Sequence, residues 1–233
     1  GVEALLRLRD ASGRVASAGE FFPALLDPVL ARRVSRFMLD QVIEEAPGLL
    51  GLFGQDAKIG INVSEADLSQ GNFLEVIEEV VARSVLHPSN IILEVTETML
   101  LLDESGHIRD LLRALDERGF TVALDDFGTG FSSLTHLRDF PIRKVKIDKD
   151  FIAAMSHDHQ SRLIVQAMVQ MGCSLNIGMV AEGVETEDQR AFLQSIGCSH
   201  AQGFKFARPR ALADLQAERA MAKSSLAKTK DAA

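Results

Sequence analysis

The sequence shows no long apolar run, no recognisable signal peptide and no excess of positive charge. No run approaches the ~20 apolar residues that a membrane-spanning helix needs. The net charge of −8 argues against a nonspecific surface for DNA, RNA or anionic membranes. It leaves room for a small phosphate ligand that is held through a metal ion.

Cysteine is also scarce, since the chain has only Cys173 and Cys198 and their spacing matches no metal motif. We therefore expect reduced thiols in a cytoplasmic domain. The chain begins at Gly1 inside what reads as a strand. We expect it to be a piece of a longer protein, which could be the cytoplasmic part of a membrane-anchored one.

The apolar residues that are present suffice for one large domain. They make up 46% of the 233 residues. A single domain of this length buries roughly 70–75% of the surface that its unfolded chain exposes. Seven short apolar runs read as strands, and helical patterns lie between them. The predicted strands are 2–9, 58–64, 90–96, 120–125, 143–148, 177–182 and 199–204, and the main predicted helices are 28–46, 73–81, 108–115, 163–171, 186–196 and 211–223.

The stretch from Ala123 to Leu134 carries the strongest chemical signal. An apolar run ends there in Asp125 and Asp126, and Gly128 and Gly130 follow. Adjacent residues of a straight strand point to opposite faces, so both carboxylates reach one site only if the strand ends and the chain turns. Two neighbouring carboxylates repel each other unless a cation lies between them. A solvated Asp-Asp turn is the alternative interpretation.

Other predicted strands carry lone polar residues inside or at the end of apolar runs. Such residues are costly to bury unless they are paired or bound to metal. Their recurrence from strand to strand indicates one polar site that many strands share. The residues are Glu3, Arg7, Asn62, Glu94, Lys146 and Glu182.

Strands that alternate with helices favour a parallel α/β fold. A (β/α)8 TIM-like barrel places its active site at the carboxyl ends of the strands, where these polar residues lie. An open doubly wound sheet is the runner-up, but it would not recruit most of the strands to one site.

Taken together, these motifs resemble the EAL-domain family of bacterial cyclic di-GMP phosphodiesterases. The resemblance covers positions 3 to 209 and follows the family's order. The motifs are Glu3-Ala-Leu5, Asn62-Val-Ser64, Glu94-Val-Thr-Glu97, Asp125-Asp-Phe-Gly-Thr-Gly130, Lys146-Ile-Asp148, Ala181-Glu-Gly-Val-Glu185 and Gln202-Gly-Phe204.

The resemblance implies a TIM-like barrel with one antiparallel strand. The family's first strand, which precedes the Glu-Ala-Leu strand, is missing from this chain, which would explain a count of seven. Residues 1–210 are then an N-terminally truncated EAL phosphodiesterase domain, and 211–233 are a C-terminal helix with a frayed tail. Leu8 and Phe204 replace a tryptophan and a tyrosine that are common in the family.

The resemblance also implies two divalent cations, Mg2+ or Mn2+. Oxygen donors are the ligands that such hard cations select. Ca2+ is expected to support nucleotide binding but to inhibit hydrolysis, because it takes longer and looser coordination. The implied ligands are Glu3, Asn62, Glu94 and Asp125 for the first cation, and Asp125, Asp126 and Glu182 for the second.

The remaining motif residues have roles that the resemblance implies, each beside a structural alternative. Lys146 orients or deprotonates the attacking water or neutralises the transition state; a structural ion pair is the alternative. Arg7 and Gln202 contact the substrate, although Arg7 could simply pair with Asp10. Glu97 holds the loop that contains Gly128 and Gly130, called the glycine loop below. Glu185 supports the site, and a plain capping or surface role is the alternative for both glutamates. Asp148 is a partner at the end of its strand.

The implied function is hydrolysis of cyclic di-GMP to linear pGpG in bacterial signalling. A catalytically inert cyclic di-GMP receptor is the main alternative, and an unrelated metal-dependent barrel enzyme is a third. The resemblance further implies a homodimer, whose interface would lie near the glycine loop, and fusion to upstream regulatory domains. No DNA or RNA polymer is expected as a partner.

Overall fold

The computed structural model describes residues 1–69, 71–101, 103, 105–128 and 134–230, apart from the side chains of 134 and 222–230. Seven strands form one sheet in which every neighbouring pair is parallel. They are β1 (Val2–Ala4), β4 (Ile59–Asn62), β5 (Ile91–Thr96), β6 (Thr121–Phe127), β7 (Ile142–Ile147), β8 (Gly178–Ala181) and β9 (His200–Ala201). A separate antiparallel pair consists of β2 (Arg7–Arg9) and β3 (Val15–Ser17).

The strand order identifies the type of sheet. Neighbours follow the chain from β1 to β9 without a reversal, whereas a doubly wound sheet reverses its order at a switch point. The amide of Gln202, just after β9, donates to Glu3 of β1 at 2.9 Å, so the sheet curls until its two edges approach. The prediction of a seven-stranded, barrel-like parallel α/β fold is confirmed. Within the described residues the antiparallel pairing lies in the β2–β3 hairpin and not in this sheet.

Helices connect the strands and cover the outside of the curled sheet. Their apolar faces, with the outward side chains of the strands, form one continuous core. The helices are α1 (Ala18–Phe21), α2 (Pro28–Phe53), α3 (Glu65–Leu68), α4 (Phe73–Ala82), α5 (Glu97–Leu101), α6 (His107–Glu117), α7 (Leu134–Asp139), α8 (Lys149–Ala154), α9 (His159–Leu175), α10 (Glu187–Ser195) and α11 (Leu212–Lys230), with 3-10 turns at Phe22–Leu26 and Pro88–Asn90.

Helix α2 runs through Pro47, whereas the sequence predicted a helix that ends at residue 46. A proline inside a helix costs about 3 kcal/mol because it removes one hydrogen bond and crowds the preceding turn. Leu49 and Leu50 are buried in the next turn, and each such burial contributes about 1.5–3 kcal/mol. Burial therefore outweighs the proline, and the helix continues to Phe53, where Gly54 follows with a φ of +92°.

Two predicted strands are shortened more than the others. The predicted strand 2–9 divides into β1 and β2, and β2 leaves the barrel to pair with β3. The predicted strand 199–204 keeps only two residues, because Gly203 has a φ of +148° and lies against the backbone of Val184. A Cβ at position 203 would approach Val184 closer than 3.0 Å, so only glycine fits there.

Helix α11 packs on α2. Gly48 of α2 faces Leu212 and Gln216, and Arg219 donates to the carbonyls of Gly51 and Leu52. The predicted division at residue 210 stays a prediction. Among the described residues, no helix combines the length and the apolar character that a membrane crossing requires.

The start of α2 gives a stability prediction. Asp27 caps the helix by accepting hydrogen bonds from Val29 N and Leu30 N, both at 2.9 Å. We expect Asp27→Ala to lower the free energy of unfolding by about 1 kcal/mol, measured by urea denaturation.

Asn72→Ala is the matched control. Asn72 occupies the corresponding position before α4, but its side chain makes no capping hydrogen bond. Its replacement should leave the free energy of unfolding nearly unchanged. Equal losses in the two variants would contradict the capping argument.

Candidate active site

A bulge in β6 lets Asp125 and Asp126 reach the same site. Leu124 lies opposite Val145 and Phe127 lies opposite Ile147, so β6 holds one residue more than β7 between these pairs. Asp126 takes up the extra residue with a φ of +53°, a left-handed conformation that aspartate tolerates better than most residues. The sequence predicted that the strand would end at this point; the structure continues it to Phe127 and turns the side chains by a bulge.

Lys146 lies at the centre of the site. It is 3% exposed, and its ammonium points from β7 into the interior of the curled sheet. Carboxylates from four other segments surround it. The distances from Lys146 Nζ are 2.6 Å to Glu94 Oε2, 2.8 Å to Glu182 Oε1, 3.1 Å to Asp125 Oδ1 and 3.5 Å to Glu3 Oε2.

Two amide side chains tie these carboxylates together. Asn62 Nδ2 donates to Glu3 Oε1 at 3.1 Å. Gln202 Nε2 donates to Glu3 Oε2 at 2.9 Å and to Glu182 Oε1 at 2.6 Å. Every strand of the seven-stranded sheet thus supplies a side chain to the cluster, either from the strand itself or from the residue that follows it.

The cluster is buried and contains more negative than positive charge, and both features shift the pKa values of its members. Burial raises the pKa of Glu94 to about 8 and that of Glu182 to about 7, although Lys146 acts in the opposite direction. Burial and the neighbouring Asp125 also raise the pKa of Asp126. Burial alone would lower the pKa of Lys146, but the surrounding carboxylates outweigh it and raise that pKa instead.

The donor set fits divalent cations. One carboxylate oxygen each from Asp125, Asp126 and Glu182 lie within 4.8 Å of one another. All the donors are carboxylate or amide oxygens, which Mg2+ and Mn2+ prefer. One ammonium leaves the negative charge of four carboxylates undercompensated, and bound cations would supply the missing positive charge. The structure brings all six predicted ligands into one cluster, while their binding of metal stays a prediction.

Other predicted site residues lie around this cluster or away from it. Asp148 is buried and caps α8 by accepting from Asp150 N at 2.8 Å. Arg7 is exposed on the β2–β3 hairpin and donates to the carbonyl of Leu6. The side chain of Glu185 is exposed, and its backbone N–H donates to Gln189 Oε1 at 2.8 Å. Substrate contact by Arg7 and support of the site by Glu185 stay predictions.

The glycine loop after β6 is only partly described. Gly128 has a φ of +103°, and a Cβ there would collide with Phe151 and Met168. Glu97 is buried at the first position of α5. Gly130, and with it the predicted contact between Glu97 and the loop, lies outside the described residues.

Sequence reasoning missed Gly60 as a residue of the site. It lies in register with Glu3 in the middle of β4, and a Cβ there would collide with the carboxylate of Glu94. The available signal was a glycine inside a buried strand, two residues before Asn62. Such a glycine often marks a close approach of another group.

The raised glutamate pKa values predict how stability changes with pH when metal is removed. Unfolded glutamate loses its proton near pH 4.5, whereas folded Glu94 keeps it up to about pH 8. Between these values the folded state binds more protons, so the free energy of unfolding falls as the pH rises. In EDTA we expect a loss on the order of 1 kcal/mol between about pH 6.5 and about pH 8.5, measured by urea denaturation.

The window begins at about pH 6.5 because His200 acts in the opposite direction below its ordinary value. Burial, followed by Lys144, lowers the pKa of His200 from 6.5. Glu94→Gln should flatten the pH dependence. Glu187→Gln is the control and should preserve it, since hydrogen bonds from Arg190 and Lys205 lower the pKa of Glu187 to about 2. A stability that rises with pH in EDTA would contradict this reading of the cluster.

Comparisons with known proteins agree on one family. The family model described as EAL domain matches residues 1–209. The chain is 36% identical over 209 residues to the Pseudomonas aeruginosa protein named bifunctional diguanylate cyclase/cyclic di-GMP phosphodiesterase MucR, covering 90% of this chain and 30% of that protein. It is 36% identical over 212 residues to cyclic di-GMP phosphodiesterase PA2567 of the same species, covering 90% of this chain and 35% of that protein.

A solved structure shows the same architecture. The structure titled PaMucR Phosphodiesterase, c-di-GMP complex superposes with a TM-score of 0.85 at 34% identity, covering 91% of this chain and 86% of that chain. The chain spans about a third of the length of the two curated relatives named above. With a family model that covers nearly the whole chain and relatives above 30% identity, this chain belongs to the EAL domain family.

Proposed function

We propose that this domain hydrolyses cyclic di-GMP to linear pGpG with the help of two divalent cations. The observation that carries the proposal is the cluster around Lys146, to which all seven strands of the sheet contribute. The family and the names of the relatives supply the substrate class. Two curated relatives are named cyclic di-GMP phosphodiesterases, and a similar solved structure is a c-di-GMP complex.

The cluster favours an enzyme over an inert receptor of the same dinucleotide. A receptor needs surfaces for phosphate and base, but it has no need for several carboxylates held next to a phosphodiester. Buried carboxylates without compensating charge are unfavourable for binding an anion, because like charges repel. They become useful when cations occupy the site, so retention of the whole set supports hydrolysis.

We assign the first cation to Glu3, Asn62, Glu94 and Asp125, and the second to Asp125, Asp126 and Glu182. When bound, such cations polarise a phosphoryl oxygen and lower the pKa of a bound water. The amides of Asn62 and Gln202 fix the orientation of Glu3 and Glu182 before any ligand arrives. Gln202 therefore acts on two proposed ligands in addition to its proposed substrate contact.

Lys146 supplies positive charge and hydrogen-bond donors at the centre of the site. In the metal-free cluster the surrounding carboxylates raise its pKa, so it is protonated there and donates hydrogen bonds to oxygen. An ammonium suits two of the proposed roles, orienting the attacking water and neutralising the negative charge of the transition state, and deprotonation of the water is the third. Asp126 is exposed beside this centre, and its carboxylate lies near those of Asp125 and Glu182, the other proposed ligands of the second cation.

The proposed partners follow the family. Cyclic di-GMP is the substrate, and the domain acts as a homodimer fused to regulatory domains. The greater length of the relatives supports the fusion. The homodimer rests on the resemblance alone.

Hydrolysis should depend on divalent cations and on the cluster that we assign to them. We expect Mg2+ to support conversion of cyclic di-GMP to pGpG and EDTA to stop it, with recovery when Mg2+ is restored. Asn62→Ala and Glu94→Ala should each reduce turnover at least about a hundredfold, because each removes a ligand. Product analysis by chromatography measures both effects, and circular dichroism checks the fold.

Ca2+ provides the internal comparison. It should support nucleotide binding and suppress hydrolysis, because it accepts more ligands at longer distances than Mg2+. If the domain binds cyclic di-GMP but hydrolyses it with none of Mg2+, Mn2+ and Ca2+, it is the inert receptor. Full turnover by Glu94→Ala in Mg2+ would remove the two-metal proposal.

Lys146 should act on turnover and leave substrate binding nearly intact. An interaction made only in the transition state lowers the rate without weakening ground-state binding. We expect Lys146→Ala to reduce turnover at least about a hundredfold. The same variant should bind cyclic di-GMP within a few-fold of the wild type in Ca2+, as measured by calorimetric titration.

Lys144→Ala is the matched control. Lys144 lies two residues earlier on the same strand and lines the same interior, but its pKa is lowered, first by burial and then by Lys58. Its removal should leave turnover within a few-fold of the wild type. If Lys146→Ala loses binding and turnover in proportion, Lys146 is a binding or structural residue and the assignment is wrong.

A further inference from the structure

Residue 60 is a glycine, although it lies on the central one of three neighbouring strands, β1, β4 and β5, whose inward side chains meet in the site. Gly60 lies in the middle of β4, in register with Glu3 on one side and with Ile92 on the other. Together with Glu94 and Lys146 it lines the interior cavity of the curled sheet, which has a volume of about 190 Å³.

The carboxylate of Glu94 occupies the space that a side chain at position 60 would take. A Cβ built on Gly60 approaches Glu94 Oε1 closer than 3.0 Å, a separation that real Cβ atoms essentially never show. The same Cβ would lie 3.5 Å from Glu3 Cγ. The other oxygen, Glu94 Oε2, accepts from Lys146 Nζ at 2.6 Å. The carboxylate thus extends from the surface of Gly60 to the ammonium of Lys146.

We propose that Gly60 is a positioning residue: the missing side chain creates the space that sets the Glu94 carboxylate between Glu3 and Lys146, and thereby sets the affinity of the cluster for divalent cations. The inference rests on the proposed function, since it assigns Glu94 to a cation. Gly60 itself offers no side-chain ligand and acts only through Glu94.

The geometry predicts a local effect. The atom that a new methyl group would meet is the far end of a flexible side chain, so the backbone of β4 can stay in place while the carboxylate moves. A displacement of roughly 1 Å is enough to cost about a hundredfold when it misplaces a reacting group. Alanine is also a better strand residue than glycine, because glycine loses more conformational freedom on folding. A purely structural role of this strand position would therefore make alanine neutral or favourable.

The test measures Mn2+ affinity of Gly60→Ala by calorimetry, without substrate, beside its melting temperature. We expect the affinity to fall about 10- to 100-fold, the usual effect of disturbing a group that orients a ligand. The melting temperature should stay within a few degrees of the wild type. Gly178→Ala is the matched control, because this glycine of β8 leaves room for a Cβ, 3.5 Å from Lys144 Cγ. Its Mn2+ affinity should not change.

A second background checks that Gly60 acts through Glu94. In Glu94→Asp the carboxylate is one methylene shorter and retracts from position 60. Adding Gly60→Ala to Glu94→Asp should lower Mn2+ affinity by less than about threefold. A further tenfold loss in that background would overturn the inference.

The remaining outcomes separate this inference from the proposed function. A wild-type chain that binds Mn2+ and a Gly60→Ala variant that binds it equally well would overturn the inference and leave the function standing. A wild-type chain that binds no Mn2+ would overturn both. If Gly60→Ala does not fold, Gly60→Ala combined with Glu94→Asp should fold, and failure of that double variant as well would sink the inference.

Discussion

The site depends on one interaction, the contact of a buried ammonium with four carboxylates. A lone lysine in the interior of a sheet would be strongly destabilising, and so would any one of these acids. Placed together around Lys146, at 2.6 to 3.5 Å, they neutralise part of one another's charge. The neutralisation is incomplete, and the remaining negative charge is the physical basis of the proposed cation binding. The ammonium of Lys146 therefore allows the carboxylates to be buried, but it does not neutralise all of their charge.

The architecture explains why so many strands share the cluster. Parallel strands in chain order place their carboxyl ends at one rim, and the curl of the sheet turns their inward side chains toward a common centre. A flat sheet would hold Glu3 and Gln202 at opposite edges, yet they are hydrogen-bonded. Two local departures from regular strand geometry complete the arrangement. The bulge in β6 directs both aspartates to the site, and Gly60 clears the space that Glu94 fills.

Much of this could be predicted from the sequence because it depends on composition and order along the chain. The seven strands, the parallel class and the convergence of Glu3, Glu94 and Lys146 follow from apolar runs with polar residues at fixed places. The exceptions have tertiary causes. Pro47 reads as a helix end, and only the burial of Leu49 and Leu50 keeps α2 intact. A bulge has no periodic pattern in the sequence, so the change of side-chain direction at Asp126 could not be predicted. The role of Gly60 depends on a neighbour 34 positions away, which no local pattern reveals.

The long reach of the central contacts has a consequence for how the domain folds. Lys146 and Glu3 are separated by 143 positions along the chain, and Gln202 and Glu3 by 199. Contacts of such high sequence separation form slowly, because the loops they close lose much entropy before any stabilisation is gained. No fragment that ends before β9 can contain the link between Gln202 and Glu3. The complete cluster, which includes this link, therefore exists only when the entire sheet has closed.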